Sequence, residues 1–305
     1  MAQPFFPTTL FSQPITLIIA AYLLIIDRIL GPPTTMNAQL YESVKPLDSV
    51  VHFLTVTLRD LGWYKQKEEL VMDVGCGPGH VTFQFVLPLF PNAEKFVAVD
   101  YSSSMIEAAR SNYLHPKIEY HVADFEDKSD VQRWNGQVTK LVSIHCVNWL
   151  KNQKQSFQNT YDLLQPGGEA AFYFVLISDF YAAVVDIYND PKWRGYFEGV
   201  DSRVPESHCK KFDSTHYRKI VEDIGFDVLL CRDELKVNPL SSEKAAKDLY
   251  YSLTVLVHHV PQSLKDEFRN DLNEYVVKNG GKTEDGTLVH RAVTLELVVR
   301  KPKRL

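Results

Sequence analysis

The sequence predicts an α/β protein with a mostly parallel sheet covered by helices. Short apolar runs begin at Leu70, Phe96, Ile118 and Lys140, each followed by a segment of helical spacing. Strands alternating with helices make parallel pairs joined by crossovers. Hydrophobic residues make up 45% of the 305 residues, enough for one large core or for a core with a cap.

The elements follow in order. Val51, Leu54, Leu58 and Leu61 recur at helical spacing and predict a helix over Asp48–Tyr64. The first strand enters through Leu70–Met72 and passes into a turn dense in glycine, Gly75-Cys76-Gly77-Pro78-Gly79. The second runs from Phe96 to Asp100; Ser102, Ser103 or Ser104 then caps a helix with Glu107 in its first turn. The third, from Ile118, alternates and ends in Asp124-Phe125. The fourth runs from Lys140 towards His145-Cys146-Val147-Asn148-Trp149, and a helix follows it. The turn Leu163–Gly168 precedes a fifth strand, Glu169–Val175. Phe212–Ile224 is a helix stopped by Gly225. Phe226–Val237 and Leu288–Val299 read as the sixth and seventh strands. Ser178–Val204, rich in aromatics, and the apolar helical stretch Glu243–Asn279 are too long for connections and read as caps.

A net charge of −5 leaves no basic surface for nucleic acid, and Arg300–Arg304 reads as a short solvated tail. The four cysteines lack metal-ligand spacing and read as free thiols of a reducing, cytoplasmic compartment, so no metal is expected. Ala2–Ile26 carries no charge, and Gly31–Thr35 reads as a linker. Residues 1–35 therefore form a separate hydrophobic segment, and 36–305 the folded domain, with caps near 178–204 and 243–279. A membrane anchor through residues 11–30, a start site placed too far upstream and a secretory signal are its three open readings.

The glycine turn decides the cofactor class. A dinucleotide loop is spelled G-x-G-x-x-G. Here Asp73 precedes Gly75, Gly77 and Gly79 at alternate positions. An acid at the end of the second strand, Asp100, stands where such residues accept hydrogen bonds from ribose hydroxyls. This pattern resembles the class I S-adenosylmethionine-dependent methyltransferases. The resemblance implies a Rossmann-like seven-stranded sheet with the last strand antiparallel between the fifth and sixth. It implies that S-adenosyl-L-methionine is the cofactor, with Asp73 near its methionine portion and Gly75, Cys76, Gly77 and Gly79 around its arm and ribose. It also puts Tyr101 and Met105 against the adenine, Asp124 on the adenine amino group and Phe125 at its face or edge.

Ligands of open α/β sheets bind at the carboxyl ends of the strands, here near His145–Trp149, under apolar and aromatic covers. A bulky apolar acceptor follows. Four motifs resemble the arthropod juvenile hormone acid O-methyltransferases: M-N-x-A-x-L-Y from Met36, S-x-x-C-x-x-W from Ser143, the run from Lys151 to Gly168, and D-P-K-W-x-x-Y from Asp190. That likeness implies methylation of the carboxylate of farnesoic acid or a hormone acid, under Phe180, Trp193 and Tyr196. Asn148 stands where the family has histidine, and Asp48 lies near a family glutamine that holds the acceptor's carboxylate. Trp149 is expected to orient that carboxylate through its indole N–H, which has no competing acceptor. Asn148 and His145 are further donors, and His145 is alternatively a cover for the cofactor. Methylation of another lipophilic acid, an amine or a hydroxyl stays open, as does a binding protein without turnover. Monomer and homodimer are both open.

Overall fold

The computed structural model describes residues 46–64 and 70–303. The hydrophobic segment 1–35, its 11–30 stretch and the motif at Met36 lie outside the described residues. No helix among the described residues is long and apolar enough to cross a membrane.

Helix α1 runs through Asp48–His52, a wider π turn at Phe53–Thr57 and Leu58–Asp60, a turn short of the expected Tyr64. Strand β1 is Leu70–Val74, and α2 continues from the glycine turn as a π turn, Thr82–Val86, and a 3₁₀ turn, Leu87–Leu89. Then come β2 (Lys95–Asp100), α3 (Ser103–Asn112), β3 (Ile118–Val122), α4 (Lys128–Val131), β4 (Val138–Ile144) and α5 (Gln153–Leu163). Ser102 is the cap of α3, accepting from the Met105 N–H at 3.4 Å.

Strand β5 is Leu164–Ser178 and α6 is Asp179–Asn189. The expected turn before β5 is a bulge within it: Val138 pairs with Leu164 and Lys140 with Glu169, so Gln165–Gly168 loop out. After α7 (Glu206–Lys210), α8 (Ser214–Ile224) starts on an Asp213 cap and ends on Gly225 at φ +107°, as expected. Strand β6 is Asp227–Pro239. The second cap is not one helix. It is α9 (Glu243–Leu253), two 3₁₀ turns and α10 (Lys265–Lys278), broken around Thr254 and Pro261 because proline supplies no N–H to continue a helix. Strand β7 is Val289–Arg300.

Among the described residues seven strands form one sheet in the order β3-β2-β1-β4-β5-β7-β6. The pairs from β3 to β5 are parallel, and β7 runs antiparallel to both neighbours, as the resemblance implies. Its strands bury both faces. Leu70, Met72 and Val74 join Phe157, Leu163, Tyr217 and Val221 beneath α5 and α8. Val71 and Ala98 join Phe53, Leu54, Leu58 and Ile106 beneath α1 and α3. This two-sided burial is why the parallel strands read as unbroken apolar runs. A third cluster unites the caps: Phe180, Val184 and Trp193 pack with Leu249, Tyr250, Phe268 and Leu272.

Candidate active site

The glycine turn is held by backbone. The N–H groups of Gly75 and Cys76 donate to the Val99 carbonyl at 2.8 and 3.0 Å. Gly75 has φ +77°, and a Cβ there would stand 2.3 Å from Cys146 Cβ in the loop after β4. Gly79 has φ +88°, and its Cβ would meet Ala109 Cβ of α3 at 2.9 Å. Both glycines therefore serve backbone shape and close packing together.

Two carboxylates flank the turn. Asp73 is buried and accepts from Thr82 Oγ1 at 2.6 Å; burial, with Asp100 nearby, pushes its carboxyl up to about 6. Asp100 accepts from the Gly77 N–H and the Ser102 N–H, both at 2.9 Å, one on each oxygen. Burial raises it too, against those two bonds. Each oxygen keeps a lone pair free for a further donor.

Around β2 and β3 the residues separate. Tyr101 is 54% exposed, and Met105 is buried in the first turn of α3. Asp124 is half-buried, with one oxygen accepting from the Glu126 N–H at 2.9 Å. Its strand end adjoins that of Asp100, whose carbonyl accepts from the Ala123 N–H. Phe125 belongs to the core with Val131 and Phe157, at 4% exposure. Its ring packs into the core beneath α5, so it would meet an adenine at most along an edge.

A cavity of about 1000 Å³, counted out to its mouth, opens beside the turn. Asp73, Gly75, Cys76 and Gly77 line one end, and Leu47, Val50, Phe180, Leu249 and Leu253 form much of the apolar wall. His145, Asn148 and Trp149 all line it, so the structure brings together the expected end of β4. His145 has φ +53°, uncommon for a residue with a Cβ, and its N–H donates to the Tyr173 carbonyl at 2.7 Å. Its Nε2 is buried without a hydrogen-bond partner. Burial, with His290 adding, holds its imidazole down at about 4, so it is neutral near pH 7.

Asn148 organises its neighbours. One amide orientation satisfies every group around it: the oxygen accepts from Trp149 Nε1 at 3.1 Å and from the Tyr181 hydroxyl at 2.9 Å, and the nitrogen donates to the His145 carbonyl at 3.3 Å. The indole N–H expected to reach the acceptor is therefore engaged by Asn148. Trp149 also meets Tyr181 edge to face, with ring centroids 5.8 Å apart.

Three expected acceptor contacts do not reach this cavity. Asp48 is exposed on the first turn of α1, and that segment lines the cavity through Pro46, Leu47 and Val50 instead. Trp193 is buried within the cap, its Nε1 donating to Asp271 at 2.9 Å and its ring edge-on to Phe268. Tyr196 is 39% exposed and outside the lining. Phe180 does line it. Sequence reasoning missed His290, Ser178 and the role of Tyr181, all lining residues. The topology holds the signal for His290: an antiparallel strand brings its beginning, not its end, to the ligand side of a parallel sheet.

A family model described as "Methyltransferase domain" matches residues 71–168. The juvenile hormone acid O-methyltransferase of Drosophila melanogaster is 24% identical over 229 residues, covering 73% of this chain and 77% of its own. That of Bombyx mori is 23% identical over 192 residues, covering 62% and 68%. In fold, the chain matches phosphoethanolamine N-methyltransferase 2 of Haemonchus contortus in complex with S-adenosylhomocysteine, with a TM-score of 0.52, 15% identity and coverage of 91% and 60%. Fold, glycine turn and relatives define a methyltransferase. The matched domain and the similar proteins support a class I S-adenosylmethionine-dependent methyltransferase. Its residues fit that cofactor, with a turn kept free of Cβ atoms at Gly75 and Gly79 between two carboxylates that suit an ammonium and a pair of ribose hydroxyls.

Proposed function

We propose that the protein methylates the carboxylate of a small hydrophobic acid, of the farnesoic or hormone-acid kind. The observation that carries this reading is the lining of the cavity: apolar and aromatic along its length, with neutral polar groups at the β4 end and no lysine or arginine among the described lining residues. Such a site suits a long apolar acceptor and offers nothing for a phosphate. The similarity to two juvenile hormone acid O-methyltransferases supports the same acceptor class.

S-adenosylmethionine supplies a methyl group activated by sulfonium charge, and a carboxylate is nucleophilic at neutral pH without a base. The protein's part is to hold, align and dry the reactants. Asp73 and Asp100, with the turn between them, hold the cofactor. Leu47, Val50, Phe180, Leu249 and Leu253 desolvate the acceptor. Alignment of this kind is worth ~7–11 kcal/mol of barrier, and stripping water from the carboxylate adds to it.

Incubation with S-adenosylmethionine and farnesoic acid, farnesol or farnesylamine, followed by mass spectrometry, tests the reading. Methyl ester from the acid is expected. Methylation of the alcohol or amine with the acid untouched overturns it.

A further inference from the structure

A carboxylate bound away from water needs hydrogen-bond donors, and most of those lining the cavity are already engaged. Trp149 Nε1 and the Tyr181 hydroxyl both donate to Asn148, whose own nitrogen donates to the His145 carbonyl. Two buried nitrogens stand at the strand ends, on β4 and β7. His145 Nε2 and His290 Nδ1 have no hydrogen-bond partner, and both residues line the cavity. His290 is 5% exposed, at the start of β7. Strand β5 lies between the strands that carry the two residues.

We propose that His145 and His290 form the subsite that receives the acceptor's carboxylate, each offering one imidazole N–H. This rests on the reading of the protein as a carboxyl methyltransferase. Three features support it beyond the unpartnered atoms. A buried polar atom without a partner costs free energy, and a ligand that supplies the partner recovers it. The left-handed backbone of His145 is a local strain of the kind that collects at binding sites. Burial also holds both imidazoles down at about 4. They are therefore neutral donors at pH 7, which orient a carboxylate without cancelling the negative charge that makes it a nucleophile.

The test uses dodecanoic acid and 1-dodecanol as probes on the cofactor-free protein, with affinity read by calorimetry. Wild type is expected to prefer the acid. H290L should lose at least about tenfold in acid affinity, as expected for one hydrogen bond to a charged group, and stay within about twofold for the alcohol. H290Q, which keeps a donor, should recover part of the loss. In wild type the ¹⁵N resonances of His145 and His290 should move on adding the acid and stay put on adding the alcohol. That measurement stands even if H290L fails to fold. Acid binding and esterification that persist unchanged in H290L, with unmoved imidazole resonances, overturn the subsite and leave the carboxyl reading intact. A wild type that ignores acids and methylates alcohols or amines overturns both.

Discussion

Asp100 does two things at once at the scale of single residues. It ties Gly77 to Ser102 through its two oxygens and faces the cofactor region with the lone pairs left over. Asp100→Ala should weaken binding of S-adenosylhomocysteine by ~1.5–3 kcal/mol, the loss of a charged acceptor. Asp100→Asn, which keeps one oxygen, should lose less. Calorimetry measures both, and equal losses would mean that the charge rather than the acceptor matters. Asp73, Asp100 and the glycines were legible in the sequence because their spacing is dictated by a backbone turn, which local residue types report directly. Asp48, Trp193 and Tyr196 lie off the cavity lining, because the direction of a side chain depends on packing that residue spacing does not report. Asp48 sits on a helix that does reach the cavity, but on its solvent face.

Between elements, the 3₁₀ turn Val147–Trp149 is joined to α6 through the Asn148 amide. Asn148→Leu keeps the volume and removes the oxygen that accepts from Trp149 Nε1 and from the Tyr181 hydroxyl. Chemical denaturation should show a loss of ~1–3 kcal/mol for each group that stays buried. Trp149→Phe removes a donor that is already engaged, so kcat/KM on a hydrophobic acid should fall by less than about threefold; a drop of one to two decades would give the indole N–H to the acceptor after all. On the cap, Leu249 of α9 lines the cavity. Leu249→Trp should raise KM for long acids by about tenfold or more, consistent with the 1–3 kcal/mol typical of overfilled space, and leave cofactor affinity unchanged. The caps were legible as long aromatic and apolar insertions. Their internal breaks and their inward-facing residues were not, because helical spacing marks the buried face of a helix without naming what lies opposite it.

The whole molecule carries buried titratable groups of both kinds, and their balance sets its pH response. His145, His208 and His290 are held down from 6.5 to about 4 by burial. The unfolded chain takes up these protons first, so each histidine costs stability as pH falls from 6.5 towards 4. Asp73 and Asp179 are raised by burial from 3.8 to about 6. The folded chain protonates there first, so each adds stability as pH falls from 6 towards 3.8. With His121 and His216 also held down and Asp100 also raised, five histidines against three carboxylates leave a net loss, and the thermal midpoint should drop between pH 6.5 and 4. Replacing His290 by Leu should flatten that drop, and an unchanged slope would mean that His290 titrates near its ordinary value in the folded protein. The sheet order was legible through the family resemblance rather than through periodicity, since residue patterns identify strands without ordering them.

The place of β7 has a consequence for how the protein is made. It is the last of the seven strands to leave the ribosome, yet it fills the slot between β5 and β6. Until Val289–Arg300 emerges, the edge of β5 that carries Phe172 and Phe174 lacks the strand it pairs with. An open strand edge of this kind invites pairing with other chains. Assembly of the acceptor pocket thus waits on the final strand, while the glycine turn and its two carboxylates are complete some two hundred residues earlier in synthesis. A premature stop ahead of Val289 would yield a chain that contains the whole cofactor turn but tends to be lost to aggregation before it can act.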